Sequence, residues 1–393
     1  MVPEGWEILS IGDLGKVTTG STPKTAEKTY YGGEIPFVSP ADLGGKKLIT
    51  TAIKTLTEEG YEKTRSIPEG STLFCCIGSV GKIGLAGREV AVNQQINAVT
   101  PSCQHDNDFV YYALAYRAPA IAITAAAQVV PIINKSNFSN QLILSPPLPE
   151  QKKIAKILSI WDQAITATER LLENSQQRKK GVMQQLLTGN TRLPGFEGEW
   201  KSVEIKDLGE VVTGFTPPKS AIGNYGEDFS WATAEDFKSK YVSNTKIKIS
   251  QQGLKNKRLL PKGSVLVTCI ASIGRNAIAN EDLCTNQQIN SIIVNECNSN
   301  EFVYYQVEFN TRELLSIAGT TAVPIVNKSS FEKIKLSIPP LKEQNAIADI
   351  LMTADLEIDA LKQRLSSLTQ EKKSLMQQLL TGKRRVDVDT EAA

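Results

Sequence analysis

The chain has 393 residues, and its 44 Lys+Arg against 42 Asp+Glu give a formal net charge of only +2. This length fits two to three domains with ordinary cores, and the charge excludes a strongly basic nucleic-acid clamp. The single histidine, His105, excludes zinc sites built on several histidines, and any Ser/His or Cys/His catalytic pair would have to use it. The six cysteines form no C-x-x-C pair, which argues against a disulfide framework and favours a cytoplasmic protein. No apolar stretch is long enough to span a membrane.

In chain order, the sequence repeats itself with a period of 193 to 194 residues. Seven segments return in the same order: GDLGKVTTGSTP (12–23) as KDLGEVVTGFTP (206–217), IPEGSTLFCCIGSVGK (67–82) as LPKGSVLVTCIASIGR (260–275), NQQIN (93–97) as NQQIN (286–290), DFVYY (108–112) as EFVYY (301–305), VPIINKSNF (130–138) as VPIVNKSSF (323–331), PPLPEQ (146–151) as PPLKEQ (339–344), and MQQLLTG (183–189) as MQQLLTG (376–382). The chain is therefore a tandem duplication of nearly its whole length.

Each half begins with a mixed part, over residues 1–149 and 194–342, in which short apolar runs are broken by Gly, Pro and Asn. The alternation of residues 334–338 predicts a half-buried strand. The segments that begin DFVYY and EFVYY predict short helices. Both parts are therefore predicted to be α+β domains with glycine-punctuated turns.

Each half ends with a segment, 150–187 or 343–380, that lacks proline and is almost free of glycine. The inward positions recur every three to four residues: Ile154, Leu158, Trp161, Ile165, Thr168, Leu172, Ser175, Val182 and Leu186, with Ile347, Leu351, Ala354, Ile358, Leu361, Leu365, Leu368, Leu375 and Leu379 as their equivalents. This heptad-like stripe predicts two helices, each roughly 57 Å long, that pack on each other. If they are antiparallel, they form a coiled-coil spacer between two homologous domains with pseudo-twofold symmetry. The predicted boundaries are 1–149, 150–193 with the linker, 194–342, 343–382, and a flexible tail at 383–393.

Two related domains on a fixed spacer suit a target that also has two parts. Duplex DNA with separated half-sites is one such target. A symmetric scaffold whose domains bind other proteins would look alike, and this alternative stays open. The net charge of +2 predicts weak non-specific attraction to phosphates, so the isolated chain should bind DNA weakly and need partners.

The repeat boundaries carry further motifs. PEGW (3–6) precedes the first GDLG segment, and LPGFEGEW (193–200) precedes the second copy. PPLPEQKKIAKIL and PPLKEQNAIADIL open the two long helices, and MQQLLTG closes both. In their order and repetition, over about residues 1–385, these motifs resemble the specificity (S) subunit of type I restriction-modification systems.

The resemblance implies two target-recognition domains that each read one half of a bipartite DNA site in the major groove. It implies that the helices set the gap and that two methylase (M) subunits dock on the chain, with restriction (R) subunits joining them. The S subunit itself would be non-catalytic and hold no cofactor, with S-adenosylmethionine in the methylase and ATP and Mg in the restriction subunit. The absence of an Asn-Pro-Pro-aromatic motif and of a nucleotide loop from the sequence agrees with this.

Candidate DNA contacts follow from side-chain type and position in loops. Clusters of basic residues are candidates for phosphate contact, and polar loop residues are of the types that read base edges or phosphates. The candidates are Thr22, Lys24, Ser39, Asp42, Lys46 and Lys47 in the first domain, and Thr216, Lys219, Thr233, Asp236, Lys238, Lys255, Lys257 and Arg258 in the second. No catalytic or metal-binding residue is predicted.

Other features have a structural and a functional interpretation. The NQQIN segments could read adenine, but their identity in both halves favours a turn or a buried hydrogen-bond network. For PIINKS at 131–136 and PIVNKS at 324–329, phosphate contact by the Lys and Ser and a structural turn are equally plausible. Trp161 is either ordinary packing or a methylase contact, and Cys76 and Cys269 are expected to be buried, inert thiols. His105 is expected in a surface loop.

Overall fold

The computed structural model of the chain describes residues 2–126, 130–255, 257, 259–319 and 324–388. The chain divides into two compact units, one of Met1–Glu169 with Gln363–Ala393 and the other of Arg170–Lys362. We call them unit 1 and unit 2. Each unit contains one mixed domain together with one half of each long helix.

The first half of the chain holds ten strands and five α-helices within the described residues. The strands are β1 (Glu7–Ser10), β2 (Gly15–Thr19), β3 (Tyr31–Val38), β4 (Leu48–Ile49), β5 (Lys54–Leu56), β6 (Thr72–Cys75), β7 (Ile83–Ala86), β8 (Ala91–Val92), β9 (Ile96–Pro101) and β10 (Leu142–Ser145). The helices are α1 (Ile11–Leu14), α2 (Glu58–Glu62), α3 (Asn107–Ala125), α4 (Lys135–Ser139) and α5 (Leu148–Leu186).

The second half holds the corresponding elements. The strands are β11 (Lys201–Glu204), β12 (Gly209–Thr213), β13 (Tyr225–Ala232), β14 (Tyr241–Val242), β15 (Lys248–Ile249), β16 (Val265–Thr268), β17 (Asn276–Ala279), β18 (Cys284–Thr285), β19 (Ile289–Val294) and β20 (Lys335–Ile338). The helices are α6 (Ile205–Leu208), α7 (Gln251–Leu254), α8 (Asn300–Phe309), α9 (Thr311–Ile317), α10 (Lys328–Glu332) and α11 (Leu341–Leu379).

The two domains have the same sheet topology. In unit 1 a five-stranded sheet has the order β2-β9-β6-β7-β4, beside a three-stranded sheet β5-β3-β8 and the pair β1-β10. Unit 2 repeats this as β12-β19-β16-β17-β14, β15-β13-β18 and β11-β20. Most pairs are antiparallel, but the edge strands β4 and β14 run parallel to β7 and β17. The predicted duplicated α+β fold is confirmed, as is the strand at 334–338.

Helices and sheets share the cores. In unit 1, Phe74 and Phe138 lie with ring centroids 5.0 Å apart, and both are fully buried. Helix α3 is longer than the short helix predicted, because the apolar segment after Pro119 continues it to Ala125. A proline inside a helix removes one hydrogen bond, which packing of Ile121 in the core offsets.

The halves of the long helices run antiparallel within each unit. In unit 1, Glu150 pairs with Arg385 and Asp162 pairs with Lys372. In unit 2, Lys179 pairs with Asp355, and the Ser175 hydroxyl donates to Glu357. Every position of the predicted apolar stripe is buried or half-buried, so the heptad-like prediction is confirmed.

The long helices end where the sequence predicts. Helix α5 stops at Leu186, and Gly189 has a φ of 73°, which favours glycine after a helix C-terminus. Gly382 has a φ of 67° at the same place after α11. Among the described residues, no helix is both long and apolar enough to cross a membrane.

Candidate nucleic-acid interface

In each domain two loops meet to form an exposed polar edge. The loop after β2 carries Thr22, whose hydroxyl donates to the amide oxygen of Gln94 in the turn between β8 and β9. In unit 2 the hydroxyl of Thr216 donates in the same way to Gln287. All four side chains are exposed. The same pair of loops therefore presents a threonine and a glutamine in both domains.

A close approach between backbones fixes this edge. A Cβ on Gly214 would lie 2.1 Å from the carbonyl oxygen of Asn286, and one on Gly20 would lie 2.1 Å from that of Asn93. Only glycine allows two strands of backbone to come this close. The recurrence of Thr-Gly at 19–20 and 213–214 thus has a structural cause.

The other side chains of NQQIN are internal, as the sequence predicts. The amide of Asn93 donates to Gln95 at 3.0 Å, and Thr19 donates to Asn97 Oδ1 at 2.7 Å. Asn97 also donates to Cys76 Sγ at 3.2 Å. Cys76 is buried as expected, and burial raises the pKa of its thiol to about 12. The equivalent Cys269 is also buried, and burial raises its pKa to about 11.

Several predicted basic contacts are exposed. Among the described residues they enter no ion pair, which leaves their charges available to a ligand; they are Lys24, Lys46, Lys219, Lys238, Lys255 and Lys257. Arg258 lies outside the described residues.

In unit 2 several candidates surround one pocket of about 340 Å³. Thr216, Lys255 and Lys257 line it, together with the ring of Phe215 and the buried amide of Asn224. Asn224 Nδ2 donates to Pro218 O at 2.9 Å, whereas its Oδ1 has no hydrogen-bond partner. The pocket is therefore lined by two lysines that enter no ion pair with a described residue, and the unpartnered oxygen of Asn224 is buried in its wall.

Four candidates prove to be structural caps. Asp42 Oδ2 accepts from the backbone and hydroxyl of Ser39 at 2.8 and 2.7 Å, and Oδ1 accepts from Ile53 N at 2.7 Å. Asp236 Oδ2 likewise accepts from the backbone N–H of Thr233 at 2.8 Å and from its hydroxyl at 2.9 Å. Both carboxylates are occupied by these internal hydrogen bonds, and contact of the four residues with DNA stays a prediction.

Lys47 is also internal. Its ammonium lies 2.5 Å from Asp108 Oδ1 and 3.0 Å from the hydroxyl of Tyr112, and its side chain is 17% exposed. Its charge is therefore engaged within unit 1, and its contact with a phosphate stays a prediction. Its exposed neighbour Lys46 is not affected.

The PPL-x-EQ motifs connect each domain to the start of its helix. Glu150 is 3% exposed; its oxygens accept from Arg385 at 2.8 and 2.9 Å, and Oε2 also accepts from Trp6 Nε1. Gln151 donates to His105 Nδ1 at 3.2 Å. His105 lies in the loop between β9 and α3, as expected, where it is half-buried, and burial lowers its pKa.

The same pair recurs in unit 2. Arg192 donates to Glu343 through Nε at 2.6 Å and Nη2 at 2.7 Å, and Glu343 is fully buried. The buried glutamate of the motif is therefore paired with Arg385 of the predicted tail in unit 1 and with Arg192 of the linker in unit 2.

Trp161 is half-buried and lines a pocket of about 550 Å³ in unit 1 with Lys153, Ile157, Leu375 and Arg384. Its equivalent in unit 2 is Ala354.

Asn134, from the PIINKS segment, caps α4 by accepting from Asn137 N at 2.8 Å, while Lys135 beside it is exposed. The described residues contain no group of His, Cys, Asp and Glu side chains able to hold a metal ion.

Two copies of one α+β domain, each joined to antiparallel helix halves and each with the same exposed polar edge, define a duplicated recognition protein. The sequence model of the type I restriction modification DNA specificity domain matches residues 3–174 and 197–370. The chain belongs to this family, as a non-catalytic specificity subunit with two recognition domains.

Individual relatives agree over the whole length. The chain is 26% identical over 414 residues to the specificity subunit of the type I restriction enzyme MjaVIII of Methanocaldococcus jannaschii, covering 98% of this chain and 94% of that one. The crystal structure of the type I S subunit from M. genitalium matches with a TM-score of 0.65 at 16% identity, covering 96% of each chain. A chain of a type I R-M system matches with a TM-score of 0.64 at 17% identity, covering 98% of this chain and 100% of that one. At such identities the two structures show a shared fold.

Proposed function

We propose that each recognition domain reads one half of a bipartite DNA site in the major groove, while the long helices set the gap between the halves. The observation that carries this is the repeated polar edge, Thr22 with Gln94 and Thr216 with Gln287, in two domains of identical topology. Threonine and glutamine are side chains that pair with base edges. Two related modules on one chain suit two half-sites.

Exposed lysines of the same domains, which enter no ion pair with a described residue, supply the phosphate contacts in the proposal. Lys24 and Lys46 serve the first domain, and Lys219, Lys238, Lys255 and Lys257 serve the second. Because these residues enter no internal ion pair with a described residue, neutralising a phosphate costs no existing interaction. Arg258 belongs to this set by sequence alone.

The identical Thr–Gln pairs are not expected to distinguish two different half-sites. The residues that differ between the copies carry that role in the proposal, among them Lys24 against Pro218 and Ser21 against Phe215. In unit 2 a pocket lies at one of these positions, beside Phe215, where unit 1 has Ser21.

Two methylase subunits dock on the long helices in this proposal, and restriction subunits join the complex. Exposed apolar side chains on a helix mark a docking surface, and Ile160 is 55% and Leu356 70% exposed. The pocket at Trp161 adds an aromatic anchor in unit 1. S-adenosylmethionine belongs to the methylase, and ATP with Mg to the restriction subunit.

A salt titration of DNA binding tests the phosphate contacts. The probe is a duplex of random sequence, and the protein is the full chain assembled with its methylase. Lys255→Gln with Lys257→Gln should reduce the slope of log K against log salt by about 0.9 for each phosphate that is no longer neutralised. Lys333→Gln, an exposed lysine outside the proposed set, is the matched control.

Two results would contradict the proposal. A double variant whose salt slope equals that of Lys333→Gln would remove these lysines from the interface. A complex that binds all random duplexes equally, with no selected sequence, would favour the scaffold alternative instead.

A further inference from the structure

A chain of polar contacts crosses unit 1 from the sheet to both long helices. Lys47, just before edge strand β4, donates to the hydroxyl of Tyr112 on α3 at 3.0 Å. That hydroxyl donates to Asp162 Oδ2 on α5 at 2.5 Å. The other oxygen of Asp162 is paired with Lys372 on α11. Four elements are thereby joined through one buried tyrosine.

Unit 2 contains the same chain of contacts. Lys240, just before edge strand β14, donates to the hydroxyl of Tyr305 at 3.0 Å, which donates to Asp355 Oδ2 at 2.5 Å. Asp355 Oδ1 lies 2.7 Å from Lys179. Every member is displaced by 193 residues from its counterpart, and the lysine of the partner helix is exchanged between α5 and α11. We call these two sets the tyrosine bridges.

The tyrosines at the centre of the bridges are shielded from water, since Tyr112 and Tyr305 are fully buried. In unit 1 Asp108 supplies a second carboxylate to Lys47, so two cations face two anions. In unit 2 Lys240 pairs with Glu301, and Lys179 pairs with both Asp355 and Glu308, so two cations face three anions. Burial raises the pKa of Tyr112 well above its usual value, and the hydrogen bond to Asp162 raises it further. The hydroxyl therefore stays protonated and remains a donor.

Stability alone does not account for such bridges. Replacing buried ion pairs by apolar residues of the same size is often neutral or stabilising, whereas a satisfied polar network specifies one arrangement of its elements. An apolar contact would let the edge strand slide on α3 and the helices. Directional contacts run from Lys47, just before β4, to α3, from α3 to α5, and from α5 to α11, and together they fix one angle of the sheet on the helix pair.

We propose that the tyrosine bridges determine the gap between half-sites that the protein accepts, by holding each recognition domain at one angle on its helix halves. This rests on the proposed function, in which the domains read half-sites and the helices set their gap. Tyr112, Tyr305 and their partners are positioning residues in this account, because none of them is at the exposed edge. They affect the gap and leave base reading unchanged.

The test compares Tyr112→Phe and Tyr305→Phe with adjacent tyrosines whose hydroxyls enter no bridge. Tyr111→Phe and Tyr304→Phe are these matched controls, since they remove a hydroxyl from the same turn of the same helix. The full chain is assembled with its methylase. It modifies a duplex library in which two randomised blocks are separated by gaps that differ by one base pair, and sequencing reports methylation at each gap and each base.

The bridge variants should lose at least about three- to tenfold in discrimination between the preferred gap and its neighbours, because each hydroxyl makes two hydrogen bonds and the loss of one alone is worth about that much. The base preference of both blocks should stay as in the wild type, and the controls should keep the wild-type gap profile. Asp162→Asn, which still accepts from Tyr112 but lacks the charge that holds Lys372, should give a smaller loss.

Three results separate the possibilities. An unchanged gap profile in both folded bridge variants would overturn the proposal. A change in base preference with an unchanged gap would place the bridges in base reading and overturn it as well. A wild-type complex that selects no pair of blocks at any gap would instead refute the proposed function.

Discussion

Replacing Arg192 by Met leaves the carboxylate of Glu343 buried without its counter-charge. The Glu343 side chain is 1% exposed, and Arg192 donates to both of its oxygens. Breaking a buried ion pair by removing one partner costs about 3–5 kcal/mol. Arg192 is 25% exposed, and Glu343 lies in the first turn of α11, where the helix dipole favours a carboxylate. These two features reduce the expected loss of local stability to about 2–3 kcal/mol.

Hydrogen exchange detects this loss where it occurs. A loss of about 2–3 kcal/mol should accelerate exchange of the amides in residues 345–352 by about 30- to 150-fold. The peptides of unit 1 serve as an internal control, because their equivalent pair, Glu150 with Arg385, is intact. Arg192→Met combined with Glu343→Gln should recover at least half of the protection, because no charge is then left buried.

Two outcomes would refute this reasoning. Wild-type exchange in Arg192→Met would mean that the pair contributes nothing to the start of α11. Equal exchange in the single and double variants would mean that the loss comes from the missing arginine packing and not from an uncompensated carboxylate.

The remaining predictions concern the glycines, the histidine and the helix pocket. Gly214→Ala should destabilise unit 2 by about 1–3 kcal/mol in denaturant unfolding, because the added Cβ would lie 2.1 Å from the carbonyl oxygen of Asn286. An unchanged unfolding midpoint would contradict this prediction. Gly181→Ala, which meets open space in α5, should instead stabilise by about 0.5–1 kcal/mol. Burial lowers the pKa of His105 below 6.5, so the unfolded chain binds its proton first as the pH falls. The free energy of unfolding should therefore decrease as the pH drops below 6.5. A pKa of this sole histidine at or above 6.5 in an NMR titration would contradict this. Trp161→Ala should weaken methylase capture by about tenfold in native mass spectrometry, and undiminished capture would exclude the pocket.

The repeat and the long helices could be predicted because they depend on periodicity, which one sequence displays in full. The two exposed edges could be predicted in part. Thr22 and Thr216 are exposed as expected, whereas Gln94 and Gln287 could not be separated from their buried neighbours, since only the turn geometry turns one residue of NQQIN outward.

Contacts over long sequence separation engage a candidate that the sequence does not distinguish from its neighbour. Lys46 and Lys47 look alike as a basic pair, yet Lys47 is used by Asp108 and Tyr112, more than sixty residues later. A signal was present: Lys47 returns as Lys240 at the same offset as Tyr112 and Tyr305. Residues that are the same in both copies are expected to serve the fold that the two domains share. This holds for NQQIN, and it holds equally for Lys47, Asp42 and Asp236.

The central claim is that each recognition domain reads its own half-site, and exchanging one domain tests it most directly. Residues 1–149 are replaced by the corresponding domain of another specificity subunit, and the methylated motif is read from the genome of cells that express the complex. We expect one half of the methylated motif to change with the exchanged domain while the other half stays the same. A motif that changes in both halves, or in neither, would contradict it.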